Sequence, residues 1–533
     1  MARSWARRAG IAAAIGAGGL CGCNHAATTG PTFHVEGSVT MWDLPYHADS
    51  ARFGPWEEAP VRGVTVNAID AESGRTLARA RTDEGGAFAL DLEELPDAWF
   101  VRVHAIVQGE SLTSEVLSEA GGRVGWALRS DEIAGDDVSS VALSTAPGSA
   151  INGALHIADT LSRLDRFLAS AGVPLKAQER LRMWWSPVQS FPCGSCFIGS
   201  GVLLGGAPED PDEYDDQIIM HEAWHFLSNA WGADSSPGGR HVGDPLVPTL
   251  AWGEGMATAM ALMTSEDPLY VDFRESYVRI FEVEGGEDPR FWGTYASGVA
   301  GDVSEYLVAA LLWDLFDGDD SDEAPYSVQV SPASIVRVLR EWMLRQAHGG
   351  VGFAGLDLAD FVVGLRCLDL VPEATLQAML DHRRFPLDVG EVSCDRPWTY
   401  ASTREEPTPP PPLTEPDAKQ LFLRREGREV WLRHPASASH DFEVRVQVRG
   451  SGESVEQRVS CEGTPCLVAS DFDDADVVIV TGEWERQEPF GFSLSGDQAQ
   501  ARLFGAHEQV QTTFGTVREY RSAADADAQE TDE

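Results

Sequence analysis

Residues 221–225 read His-Glu-Ala-Trp-His. On a helix, positions four apart share one face, so the imidazoles of His221 and His225 can grip a single metal ion. Glu222, beside the first His, then faces water held by that ion. Zinc lowers the pKa of such water to about 7, and a nearby carboxylate can take its proton as the water attacks a carbonyl carbon. A catalytic zinc needs a third protein ligand and keeps one position open. The stretch Trp252-Gly-Glu254-Gly-Met-Ala257 begins a second helical pattern downstream, and Glu254 is the candidate. Taken singly, each His reads as a core or surface histidine, and Glu254 as a helix-start carboxylate favoured by the dipole. The metal reading comes from the combination.

Such a site needs rigid support. Asp215 or Asp216 can cap a helix over 216–231, with Ile218, Ile219 and Met220 burying its first turn and no Gly or Pro inside. Glu254 falls on a helical pattern over 250–264, and further patterns cover 151–171, 303–316, 331–346 and 374–382. A tetrahedral oxyanion also needs a donor besides the metal, commonly Tyr or His. His241 is one candidate and Tyr306 its rival, with Tyr295 behind them. A partner that fixes one imidazole is expected as well, and Thr258, one turn after Glu254, and Glu305 are the options.

The His-Glu-x-x-His run followed by Glu254-Gly-Met-Ala257 resembles the gluzincins, the thermolysin-like clan of zinc peptidases. A His-x-x-Gly-x-x-His continuation is missing, which excludes a metzincin. The resemblance implies that His221, His225 and Glu254 bind one catalytic Zn²⁺, and that Glu222 acts as general base and then as the acid protonating the leaving amine. It also implies an edge strand beside the metal that pairs with substrate backbone, for which Phe197 to Gly205 is the best candidate. Two departures stand out. Gly253 replaces the Asn that often precedes the ligand Glu, and the spacing between ligands is longer than in thermolysin. With no Gly-Ala-Met-Glu-Asn exopeptidase motif, the reading leans to an endopeptidase.

The amino end reads as an address. Arg3, Arg7 and Arg8 precede a short apolar run, Ile11 to Leu20, too short to span a bilayer. Leu20-Cys21-Gly22-Cys23 resembles a bacterial lipobox, which implies cleavage before Cys23, its lipidation, and anchoring in the cell envelope at the outer membrane or surface. The alternative is a plain secretory signal cut nearby. Of the eight Cys, six then remain, an even number that suits disulfides in an exported chain. Sequence neighbours suggest 193–196, 367–394 and 461–466, although spacing alone does not fix the pairing.

The expected fold class is a multidomain α+β chain, a mainly helical zincin-like peptidase core flanked by two β-sandwich domains. The expected order is a signal peptide at 1–22, a tether at 23–32, a β-sandwich at 33–145, the peptidase domain at 150–400, a Pro-rich linker at 401–416, a second β-sandwich at 417–518 and an acidic disordered tail at 519–533. Gly63-Val-Thr-Val66 with Thr82-Asp83 and Gly86-Ala-Phe88 resembles the transthyretin-like or carboxypeptidase-regulatory-like sandwich, a binding or spacer module that could also mask the site as a propeptide. The 533 residues carry 84 Asp plus Glu against 40 Lys plus Arg, a formal charge of −44 that repels phosphate backbones and argues against nucleic acid as partner. Protein or peptide is the expected substrate, and nothing in the sequence sets the oligomeric state. Two other classes compete: a non-catalytic surface-binding lipoprotein on a degenerate peptidase fold, and a hydrolase of non-peptide acyl bonds. A Trp-rich set (184, 185, 224, 231, 252, 292 and 313) reads as core before it reads as an aromatic subsite.

Overall fold

The computed structural model describes residues 33–521 with internal gaps, the longest at 395–421, 505–516, 344–354, 294–302 and 319–327. The signal-like segment, Cys23 with the tether to residue 32, the linker 401–416 and Tyr295 lie outside the described residues. The fold is mixed α/β with several sheets. Among the described residues no helix is long and apolar enough to cross a membrane.

Alternation builds the first β unit. In Ala87–Leu92 every second residue is buried, and Val101, Val103, Ala105 and Val107 of Ala98–Gln108 face the same core. The turn between Thr76–Arg81 and Ala87–Leu92 explains the Thr82-Asp83 motif. The Asp83 carboxylate accepts from the amides of Gly85 (2.9 Å) and Ala87 (2.8 Å), and Thr82 Oγ1 accepts from Val64 N (3.1 Å). Gly86 sits at φ 74°, where a Cβ would lie 2.5 Å from the Val39 carbonyl oxygen.

The expected break between residues 145 and 150 is not a structural division. Thr113–Leu117 of the first unit pairs in parallel with Arg180–Trp185, which pairs with Val202–Leu204, which in turn pairs with Cys196–Phe197 at the sheet edge. One ten-stranded sheet therefore runs from the amino-terminal unit into the segment that carries the metal motif. Helix α1 (Ala150–Ser170), capped by Ser149, reinforces the join. Buried Asp159 takes two bonds from the Arg62 guanidinium (2.9 and 2.6 Å) and one from its amide (2.7 Å). Asp165, also buried, accepts from the amides of Ser111 and Leu112, both at 2.8 Å. A single apolar cluster spans Val35 to Val389, so the two expected domains share one core.

Helices α2 (Asp216–Trp231), α3 (Pro248–Ser265) and α4 (Glu305–Asp317) follow. Asp314 of α4, buried, is paired with Arg383 at 2.8 and 2.6 Å, and Trp184, Trp185, Trp224, Trp231, Trp252 and Trp313 are all core residues. Of the helix expected over 331–346, the described residues are α-helical at Pro332–Arg337 and then widen to a π turn at Val338–Trp342. The wide turn lays Trp342 on Gly364, where a Cβ would come within 2.6 Å of the indole. Gly364 belongs to a helix the periodicity did not announce, Leu358–Cys367, whose start is a capping box between Asp357 and Asp360.

The cysteines pair 193–196, 367–394 and 461–466. Towards the carboxyl end lie a four-stranded sheet with Glu429–Arg433 and Phe422–Glu426 at its centre and a five-stranded sheet built on Asp441–Arg449 and Val477–Trp484. The boundary expected at 518 needs correction. Val517–Arg521 is a strand that returns to pair in parallel with Gly125–Arg129, so the first residues of the expected tail are ordered by backbone pairing.

Candidate metal centre

Helix α2 carries His221, Glu222 and His225 and ends at Gly232, whose φ of 78° suits a left-handed cap. Asp215 occupies the N-cap position, and its carbonyl accepts from Ile219 N (3.0 Å), but neither aspartate side chain makes a capping bond. The Asp215 carboxylate accepts from Phe273 N (2.7 Å), and Asp216 pairs with Arg163 (2.5 Å) and accepts from the Thr160 hydroxyl (2.6 Å). Tertiary partners win both side chains and tie the start of α2 to α1 and to the hairpin formed by Leu269–Arg274 and Tyr277–Glu282.

The fold brings the three expected ligands together. His225 Nε2 lies 3.0 Å from His221 Nε2 and 3.0 Å from Glu254 Oε2, and His221 Nε2 lies 3.3 Å from the same oxygen. All three side chains are buried. Two ring nitrogens at 3.0 Å have one hydrogen to share at most, so lone pairs converge here. A tetrahedral zinc with bonds of about 2.0–2.1 Å separates its ligand atoms by about 3.3 Å, so this donor set fits the ion.

The glycines flanking Glu254 are set by packing. At Gly255 a Cβ would lie 2.4 Å from the Glu305 carbonyl oxygen and 2.5 Å from Val308 Cβ, so α3 can approach α4 only there. At Gly253 a Cβ would lie 2.7 Å from Ser236 Cβ, which is why the Asn of the resembled family has no room.

The other candidates fall into two groups. His221 Nδ1 contacts Thr258 Oγ1 at 3.1 Å, and His241 Nδ1 contacts Glu305 Oε2 at 2.9 Å, so both expected positioning residues touch a histidine. The other Glu305 oxygen accepts from Gly243 N (2.7 Å), fixing the loop that carries His241. His241 Nε2 stands 3.4 Å from Glu254 Oε2, and its ring is parallel to that of His221 with centroids 6.3 Å apart. Tyr306 follows Glu305 but packs its ring on Phe281 (4.5 Å) and Phe291 (5.5 Å), with the Arg290 guanidinium over it. Glu222 is buried, and its Oε2 has no hydrogen-bond partner among the described residues, as a carboxylate facing reactants requires. Tyr270, which the sequence reading missed, packs edge-on to His221 with centroids 6.3 Å apart. Its only sequence signal is an aromatic at the start of a β-rich run after α3.

Electrostatics follow from this crowding. Burial alone pushes Glu254 up, but His241 and His225 outweigh it and hold the carboxyl well below its ordinary range. Burial pulls His241 down, yet Glu254 and Glu305 together raise it to about 10. A divalent ion held by Glu254 would offset part of that pull.

Phe197, on the edge strand Cys196–Phe197, packs against Phe226 of α2 (centroids 6.2 Å), so the sheet edge borders the metal helix. Ser195 links to Asp212, and its hydroxyl accepts from Gly205 N (2.9 Å), joining that edge to the turn before α2.

No curated protein matches the chain. The sequence family described as the Mycolysin C-terminal domain matches residues 178–351, a span that holds α2, α3, α4 and every convergent residue above. Over that span the chain is similar to a mycolysin domain, which points to a peptidase of the thermolysin and mycolysin kind.

Proposed function

We propose that the chain hydrolyses peptide bonds with one zinc ion held by His221, His225 and Glu254. The observation that carries this reading is the convergence of two Nε2 atoms and one carboxylate oxygen within 3.0–3.3 Å, with Glu222 on the same helix keeping one buried oxygen without a hydrogen-bond partner among the described residues. When bound, zinc supplies Lewis-acid polarisation of a carbonyl and of the attacking water. Glu222 takes the proton released in the attack and hands it to the departing amine. His241 supports the developing oxyanion. The Glu305 carboxylate at its Nδ1 (2.9 Å) orients the ring and supports the imidazolium form, in which Nε2 is a donor. Tyr306 remains the second candidate, and its stacked ring argues for His241. Substrate backbone pairs with the edge at Cys196–Phe197, which favours an extended protein or peptide and cleavage within a chain. Export and lipid anchoring through Cys23 in a bacterial envelope belong to the same proposal and rest on the amino-terminal sequence.

The test pairs metal content with activity. Chain purified and kept in zinc-containing buffer should hold one zinc by mass spectrometry, and His221→Ala under the same conditions should hold none. Glu222→Gln should keep the zinc while losing peptide-library hydrolysis by about 10²–10⁴-fold. Absence of zinc in the wild type, or full activity in Glu222→Gln, defeats the reading. Cleavage of acyl esters with intact peptides would move it to another hydrolase class.

A further inference from the structure

We propose that Thr258 is a positioning residue that sets how tightly the metal is held, and that this centre is tuned for loose retention. The proposal rests on the zinc reading above. Both Nε2 atoms face Glu254, so the ion takes those nitrogens and the ring hydrogens sit on Nδ1. His221 Nδ1–H then donates to Thr258 Oγ1 at 3.1 Å. His225 Nδ1 is buried and has no hydrogen-bond partner among the described residues.

Groups behind metal-bound imidazoles usually do two jobs. They fix the ring, and a carboxylate there also raises the basicity of the nitrogen bound to the metal. Thr258 is neutral, so it does the first job for His221 and not the second. Nothing described does either for His225, whose ring is buried and packs edge-on to that of His221. Of the nearby carboxylates, Glu254 faces the ligand atoms, Glu305 holds His241 and the Gly243 amide, and Glu222 is the proposed general base, so none is seen behind either ring. The support sits one helical turn after Glu254 on α3, so one helix provides both the third ligand and the brace for the first. Weaker donor nitrogens bind the ion less tightly and leave it more electrophilic, so metal occupancy follows the free zinc concentration.

The experiment measures zinc dissociation constants of the full chain by competition with a chromophoric chelator, for wild type, Thr258→Ser, Thr258→Val and Thr258→Asp. Thr258→Ser should stay within about twofold of wild type. Thr258→Val should weaken binding by about tenfold or more, and Thr258→Asp should tighten it by about tenfold, the range over which such partners act. Wild-type affinity in Thr258→Val, or no tightening in Thr258→Asp, overturns the proposal. Far-ultraviolet circular dichroism of the metal-free proteins reports folding; should Thr258→Val fail to fold, the aspartate variant decides. A wild type that binds no zinc defeats the peptidase reading, whereas a zinc-binding wild type with unmoved Thr258 variants defeats this inference alone.

Discussion

Gly255→Ala tests whether the glycines around Glu254 are set by helix packing. By propensity alone, alanine inside a helix is worth about 1 kcal/mol more than glycine. The structure predicts the opposite sign. The new Cβ would meet the Glu305 carbonyl oxygen at 2.4 Å and Val308 Cβ at 2.5 Å. Restoring ordinary contact parts α3 from α4 by about 1 Å, and a backbone oxygen cannot rotate aside. Overpacking of this kind costs about 1–3 kcal/mol, more where backbone must move. After the propensity gain is subtracted, about 0–2 kcal/mol of net loss remains, and the need to move backbone puts the expectation at the upper end, about 2 kcal/mol. Zinc affinity should fall too, because the displaced segment carries Glu254. The assay is the urea midpoint of the transition of the shared core, with Gly85→Ala as control. Gly85 has only the Asp83 carboxylate at 3.5 Å, so that change should stay within about 0.5 kcal/mol. A Gly255→Ala midpoint equal to or above wild type would refute the packing argument.

Two more predictions concern groups away from the metal. Glu213 is raised to about 7, chiefly by burial, with Asp210 adding and its bond from Trp185 Nε1 (3.2 Å) opposing. Its folded pKa lies above the unfolded value, so the folded chain binds more protons between about pH 4.5 and 7 and loses stability as pH rises through that window. Glu213→Gln should remove this slope and stabilise the chain at pH 8 by on the order of 1–3 kcal/mol, as read by thermal melts across pH. Arg383→Ala strands the buried Asp314 carboxylate and should cost about 3–5 kcal/mol in denaturant titration, while replacing both partners with apolar residues should recover most of that loss.

The convergence of His221, His225 and Glu254 is legible because helix periodicity converts a spacing of four into a shared face, and because Glu254-Gly-Met-Ala257 announces a second helix start. What escaped depends on distant partners. Asp215 and Asp216 look like caps in isolation, but Phe273 N and Arg163 claim them. The pairing of 113–117 with 180–185 joins segments that no local pattern links, so a composition shift near residue 150 reads as a domain boundary. The helix Leu358–Cys367 was passed over although Asp357 and Asp360 carry its start signal, because its apolar run is short and holds Gly364. Tyr270 reaches His221 only through a hairpin whose placement is tertiary.

The shared sheet alters what a cut in the chain can do. The turn at Pro147–Gly148 is exposed, and cleavage there would leave two pieces still held by a paired strand, the bonds to Asp159 and Asp165, and a common apolar interior. A nick at that point therefore does not liberate a catalytic half from an inhibitory one. The amino-terminal unit is a wall of the body that carries the candidate metal centre, and its removal would expose an unpaired strand and dismantle what it was meant to unmask.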